Sequence, residues 1–339
     1  MSYELIGITV LWTFLYGYLI VASIDFGAGF FAFYARIKKK DHLINDLISR
    51  YLSPVWEVTN VFFVFFFVGI VGFFPATAYY YGTALLVPGS VAIILIAIRG
   101  SFYAFNNYGS RENTFYLFLY GATGLLIPAS LSTALTISEG GFLDEVDGNV
   151  VFLAKELFTS PYSWSVVFLS IVSVLFISAT FLTYYADRAD DQQARKTLRQ
   201  FALFWSMPTI VASLLVFMSL QMHNPQHYDK AVTDYWWMFG LSLVCFGFAS
   251  WFIYIEKRYG TAFIMVMLQF FFAFFGYGAS HLPYILYPYI TLHENVTNET
   301  MAFALVVVFI LGLLLLIPSL FLLMRLFLFD ADYVKGKKK

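Results

Sequence analysis

The chain has 339 residues, 60% of them apolar and only 12% charged, with a mean hydropathy of +0.74. Soluble domains carry about 25% charged residues, so a soluble globule is excluded, and the net charge of −1 gives no reason to expect a nucleic-acid partner. The single cysteine, Cys245, rules out an internal disulfide and metal sites of the CxxC kind.

Nine apolar runs follow one another, at 6–34, 54–74, 78–104, 114–137, 163–186, 201–221, 236–255, 260–286 and 301–328. Each approaches or exceeds the roughly 20 residues that a helix needs to cross a bilayer core. A β-barrel would show alternating segments of about ten residues instead. The fold expected is therefore an all-α polytopic membrane protein forming a single unit over 1–339. It divides into a four-helix half (1–137), a second four-helix half (163–286) and one additional peripheral helix (301–328). The first run is too long for a cleaved signal peptide and reads as a retained helix.

The connecting segments fall into two sets. One carries sixteen Lys and Arg, among them Arg36, Lys38, Lys39, Lys40 and Arg50; the other carries only Lys155 and Lys230. The positive-inside rule then puts the N-terminus outside and the C-terminus in the cytoplasm. The outer segment 138–162 is acidic, with Glu139, Asp144, Glu145 and Asp147, and 287–300 holds N-x-T sequons at Asn295 and Asn298 that read as chance. Tyr79, Tyr80 and Tyr81, and Tyr235, Trp236 and Trp237, read as an aromatic belt at the outer interface. Pro88, Pro128, Pro208 and Pro318 interrupt spans.

Ionisable side chains cluster in the first three spans: Asp25 in Asp25-Phe26-Gly27-Ala28-Gly29, Glu57 near the start of the second span, and Arg99 near the end of the third. A charge in lipid costs roughly 2.5–3.5 kcal/mol, so each calls for a partner or a function. All three fall in the cytoplasmic half of consecutive helices. One reading is a structural ion pair in which Arg99 neutralises an acid and fixes helix register. The other is proton entry from the cytoplasm, with Asp25 and Glu57 as carriers, Arg99 as their electrostatic tuner, Thr59 and Asn60 extending a hydrogen-bonded path, and Trp56 as a packing or gating neighbour. The five histidines fall in loops or near a span end, and none is placed to face another in mid-bilayer, so a haem ligated wholly by this chain is not expected. No Walker loop, HExxH or GxSxG is present.

Taken together, Asp25-Phe26-Gly27-Ala28-Gly29, Pro54-Val55-Trp56-Glu57-Val58-Thr59-Asn60-Val61 and Arg99 resemble subunit II of the cytochrome bd-type quinol oxidases. Length, span count and the large loop after the fourth span resemble it too, although the second half of the chain matches mainly in hydropathy. Some members have Trp-Asp followed by Gly-Asn-Gln where this chain has Trp56-Glu57 and Val58-Thr59-Asn60, a departure that resembles the Gram-positive branch, with menaquinol as the usual donor. The resemblance implies a bacterial cytoplasmic-membrane complex that oxidises quinol at the outer face and reduces dioxygen to water with protons drawn from the cytoplasm. It implies that subunit I holds two b-type haems and a d-type haem, that this chain ligates none, and that it is not catalytic alone. It also admits a small third subunit, with membrane lipid and quinone as further contacts. Two alternatives stand beside it. One is a purely structural assembly partner; the other is an ion-coupled secondary transporter, against which the lack of mid-span charges in the second half counts.

Overall fold

The computed structural model describes residues 3–108, 114–293 and 297–327, and their side chains except 46, 49–58, 102–108, 323–324 and 326–327. It is mostly helical. Helix α1 spans Tyr3–Ile37, α2 Asp41–Phe73, α3 Ala76–Ala84, α4 Leu86–Tyr108, α5 Thr114–Leu131 and α6 Thr133–Ser138. An antiparallel hairpin, β1 (Leu143–Val146) and β2 (Asn149–Phe152), follows, paired Leu143 to Phe152 through Val146 to Asn149. Then come α7 (Ala154–Thr159), α8 (Pro161–Arg188), α9 (Gln192–His223), α10 (Pro225–Thr233), α11 (Trp236–Tyr254) and α12 (Tyr259–His281). A short pair, β3 (Tyr284–Leu286) and β4 (Ile290–Thr291), precedes α13 (Glu299–Phe327).

Local chemistry sets many of these ends. Ser160 caps α8 by accepting from the Ser163 amide, with Pro161 at the first helical position. Asp191 caps α9 through the Ala194 amide, and Asn224 caps α10 through the His227 amide ahead of Pro225. Such caps satisfy amides that have no intrahelical acceptor. Asn298 does the same for α13, its Oδ1 accepting from the Met301 amide at 2.9 Å, so one sequon asparagine has a structural task.

Among the described residues, seven helical segments are long and apolar enough to cross a membrane, and an eighth is obtained if the bent pair α3–α4 counts as one. In α2 the described apolar stretch is the shorter Thr59–Phe73. The third apolar run, read from sequence as one span interrupted by Pro88, is broken at Leu85 and bent by 77°. Pro88 has no amide to donate to the carbonyl of Ala84, so α3 stops there and Pro88 sits in the first turn of α4, where no donor is needed. The last part of the run 260–286 is likewise not helix but the strand β3.

α1 packs against α2, α5 and α8; α4 lies on α5; α8 lies on α9 and α12; α11 lies on α12. α8 is central, with 72% of its most apolar window buried, while α13 buries only 11% and leans on α1 and α2. The core runs from Phe14, Phe62 and Phe309 near α13 to Phe176, Phe181 and Tyr185 on α8. The tyrosines read as an interfacial belt do other work in part. Tyr79 donates to the Gly148 carbonyl and accepts from the Val150 amide, Tyr80 bonds Glu145, and Tyr81 donates to the Ile285 carbonyl. They hold the loops over the bundle, whereas Trp236 and Trp237 are exposed as a belt requires.

Candidate functional site: a buried charge centre on α1, α4 and α5

Arg99 on α4 is 1% exposed. Its guanidinium is held on every side. Nε donates to Asp25 Oδ2 at 2.8 Å, Nη2 to the Asp25 carbonyl at 2.6 Å, and Nη1 to the Tyr120 carbonyl at 2.7 Å and to Thr123 Oγ1 at 3.3 Å. The other carboxylate oxygen of Asp25 accepts from the Tyr120 hydroxyl at 3.0 Å. The guanidinium also lies 4.0 Å from the Tyr120 ring centroid and 5.2 Å from that of Phe26. A planar fork satisfying carboxylate and carbonyls together is a task for arginine rather than lysine.

Small residues let the three helices close around this group. A Cβ on Gly29 would lie 2.7 Å from the Tyr120 carbonyl, and one on Gly124 would lie 2.2 Å from the Phe26 carbonyl. Gly27 faces α8 instead, where a Cβ would meet Ser178 at 2.4 Å, and Ser178 donates to the Ile24 carbonyl. The sequence therefore supplies both the charges and the room for them.

Of the five residues read from sequence as a site, Asp25 and Arg99 meet directly. Asn60 is half-buried on α2, one residue beyond the buried Thr59, and both have polar partners. The side chains of Trp56 and Glu57 lie outside the described residues; their backbone is part of α2. The packing of α1 on α2 fixes its height. Gly7 and Leu11 meet Phe73 and Gly69, and Gly17 and Tyr18 meet Phe62 and Phe63, so the helices run antiparallel in constant register. Continued along the two helices, this register sets Asp25 level with residue 55, and the backbone of Glu57 follows within about 3 Å along the axis at 1.5 Å per residue.

Two residues of this centre, Tyr120 and Thr123, escape sequence reading, because tyrosine and threonine occur in many spans and carry no charge. A second buried polar group escapes it altogether: Glu139, His227 and His281, the one His/Cys/Asp/Glu group among the described residues that could hold a metal ion. The sequence reading has these three as separate loop and helix-end residues. The structure brings the His227 and His281 rings to 5.1 Å, both against Glu139.

A family model described as cytochrome bd terminal oxidase subunit II matches residues 3–327. The chain belongs to that family. A Bacillus subtilis (strain 168) protein named as a cytochrome bd menaquinol oxidase subunit II is 31% identical over 342 residues, covering 98% of each chain. A chain in the structure of the bd oxidase from Geobacillus thermodenitrificans is 60% identical, superposes with a TM-score of 0.85, and is matched over 97% of this chain and 100% of its own. As a cytochrome bd subunit II, the chain is part of a quinol oxidase complex, and its multi-span helical build accords with the bacterial cytoplasmic membrane. The Asp25–Arg99 centre thus belongs to a haem-containing respiratory oxidase.

Proposed function

We propose that this chain is the haem-free subunit II of a menaquinol:dioxygen oxidoreductase, paired with a haem-bearing subunit I, and that it carries part of the proton route from the cytoplasm. The hairpin end of the bundle is the outer end, the helix count is nine with α3–α4 as one broken span, and the C-terminus is cytoplasmic. Menaquinol as donor is supported by the name of the Bacillus subtilis relative. The two b-type haems and the d-type haem are assigned to subunit I, a reading with which the placement of the histidines in this chain accords. Its histidines fall in loops and at helix ends, and the two that approach one another are engaged with Glu139.

The observation that carries the proton reading is the common level of Asp25 and Glu57 beside the buried Arg99. Asp25 and Glu57 are carriers at one level, Thr59 and Asn60 continue the hydrogen-bonding path along α2, and Trp56 packs beside Glu57. Arg99 sets the field at Asp25. A second reading, favoured by the saturation of Arg99, gives Asp25 and Arg99 a purely structural role and leaves Glu57 as the proton carrier on this chain. Glu57→Gln and Asp25→Asn in the assembled oxidase separate them. The proton reading expects intact haem spectra with slowed oxygen consumption for both. Lost haem in Asp25→Asn with slow turnover in Glu57→Gln selects the second reading. Normal turnover with intact haem in both variants overturns the proposal.

A further inference from the structure

At the hairpin end, three side chains from three separate elements converge. Glu139 follows α6, His227 lies on α10, and His281 ends α12. Glu139 and His227 are buried and His281 nearly so. The ligand atoms of the three lie within 4.8 Å of one another. His227 Nδ1 sits 2.9 and 3.0 Å from the two oxygens of Glu139, and His281 Nδ1 sits 3.4 Å from Oε1. The carboxylate is oriented from outside this triangle, by Asn224 Nδ2 at 2.9 Å and by the Tyr277 hydroxyl.

The hydrogen bonding of His227 leaves a specific demand. Its Nε2 lies 2.8 Å from Ser280 Oγ, and that hydroxyl has the carbonyls of Gly276 and Tyr277 at 2.8 and 2.9 Å. A serine hydroxyl has one proton. Spent on a carbonyl of its own helix, it leaves Oγ to accept from Nε2–H. The Nδ1 of His227 then faces a carboxylate at hydrogen-bond distance, a spacing at which either a proton or a metal ion sits between the two atoms. His281 is the second sign. Its Nδ1 lies 3.4 Å from Oε1, longer than a good hydrogen bond, so the contact leaves room for an ion between the two atoms.

We propose that Glu139, His227 and His281 bind one divalent cation of the zinc class, through a carboxylate oxygen and the two Nδ1 atoms. Two imidazoles and a carboxylate are a donor set for zinc rather than for calcium or magnesium. Bonds of about 2.0–2.1 Å at tetrahedral angles separate ligand atoms by roughly 3.3–3.4 Å, the spacing of His281 Nδ1 from Oε1; the His227 contact has only to open by a few tenths of an ångström. Ser280, Asn224 and Tyr277 supply the outer hydrogen bonds that metal ligands ordinarily carry. Bound there, the ion clips α6, α10 and α12 together at the hairpin end.

The test uses the complete purified oxidase. It is stripped with EDTA, incubated with zinc chloride and desalted; zinc per haem is then measured by mass spectrometry and the zinc shell by X-ray absorption. The expected result is one more zinc per complex in the wild type than in His281→Gln, and a wild-type shell at about 2.0–2.1 Å with scattering from two imidazoles. The wild-type spectrum decides even where the variant fails to assemble. No retained zinc, equal zinc in wild type and an assembled variant, or a shell without imidazole scattering overturns the assignment.

Discussion

Replacing Arg99 by methionine removes the cation from a pair whose members are 1% and 3% exposed at the side chain. Solvent screening offers no relief at that depth. The change leaves the Asp25 carboxylate with the Tyr120 hydroxyl, and strips the Asp25 and Tyr120 carbonyls of their guanidinium donors. Breaking a buried pair from one side costs about 3–5 kcal/mol, because the surviving charge is uncompensated. On the globular-protein scale of about 2.1 cal/mol/K per residue, a chain of this length loses roughly 4–7 °C in melting temperature. Asp25→Asn combined with Arg99→Met removes both charges and recovers part of that loss. Arg99→Lys keeps the charge but loses the fork, and falls between wild type and Arg99→Met. The assay is thermal melting of the purified oxidase, followed by tryptophan fluorescence and by haem absorbance. An Arg99→Met oxidase melting within a degree of wild type, or a double variant clearly worse than the single one, refutes the account of the pair.

Gly124→Ala places a Cβ 2.2 Å from the Phe26 carbonyl and forces α1 from α5; a loss of about 1–3 kcal/mol is expected, whereas Gly247→Ala, with open space around it, is neutral or mildly stabilising, and equal melting of the two would contradict the close approach of α1 and α5. Tyr79→Phe frees the hairpin turn from the Gly148 carbonyl and the Val150 amide, so hydrogen exchange in 143–152 should quicken while helix exchange stays unchanged. Asn298→Ala removes the α13 cap and costs about 1 kcal/mol, read as faster exchange confined to the first turn of α13; unchanged exchange there would argue against the cap.

The helical character of the chain was legible because lipid-spanning segments advertise themselves by length and hydropathy, and the charges at 25 and 99 stand out against that background. Their mutual contact was legible only as one of two pairings, since both acids precede the one arginine in consecutive helices. Tyr120 and Thr123 were not, because a backbone carbonyl and a hydroxyl leave no trace in composition. Pro88 was visible as an interruption, but the 77° turn depends on where α3 can dock against the loops, which the sequence does not encode locally. The Glu139 cluster was hidden for a different reason. Glu139 and His227 lie 88 residues apart, and no motif spacing survives such a separation.

The separation of Asp25 from Arg99 has a consequence for biogenesis. Arg99 follows Asp25 by 74 residues, and at about 5–20 residues per second of chain growth the ribosome delivers the arginine some 4–15 s after the aspartate. During that interval α1 reaches the translocon with its acid unneutralised. Entry of such a helix into lipid carries a penalty of about 3 kcal/mol, which is relieved when α4 brings Arg99 to it. Membrane insertion of this subunit is therefore a cooperative event of its first three spans, sealed when the guanidinium docks.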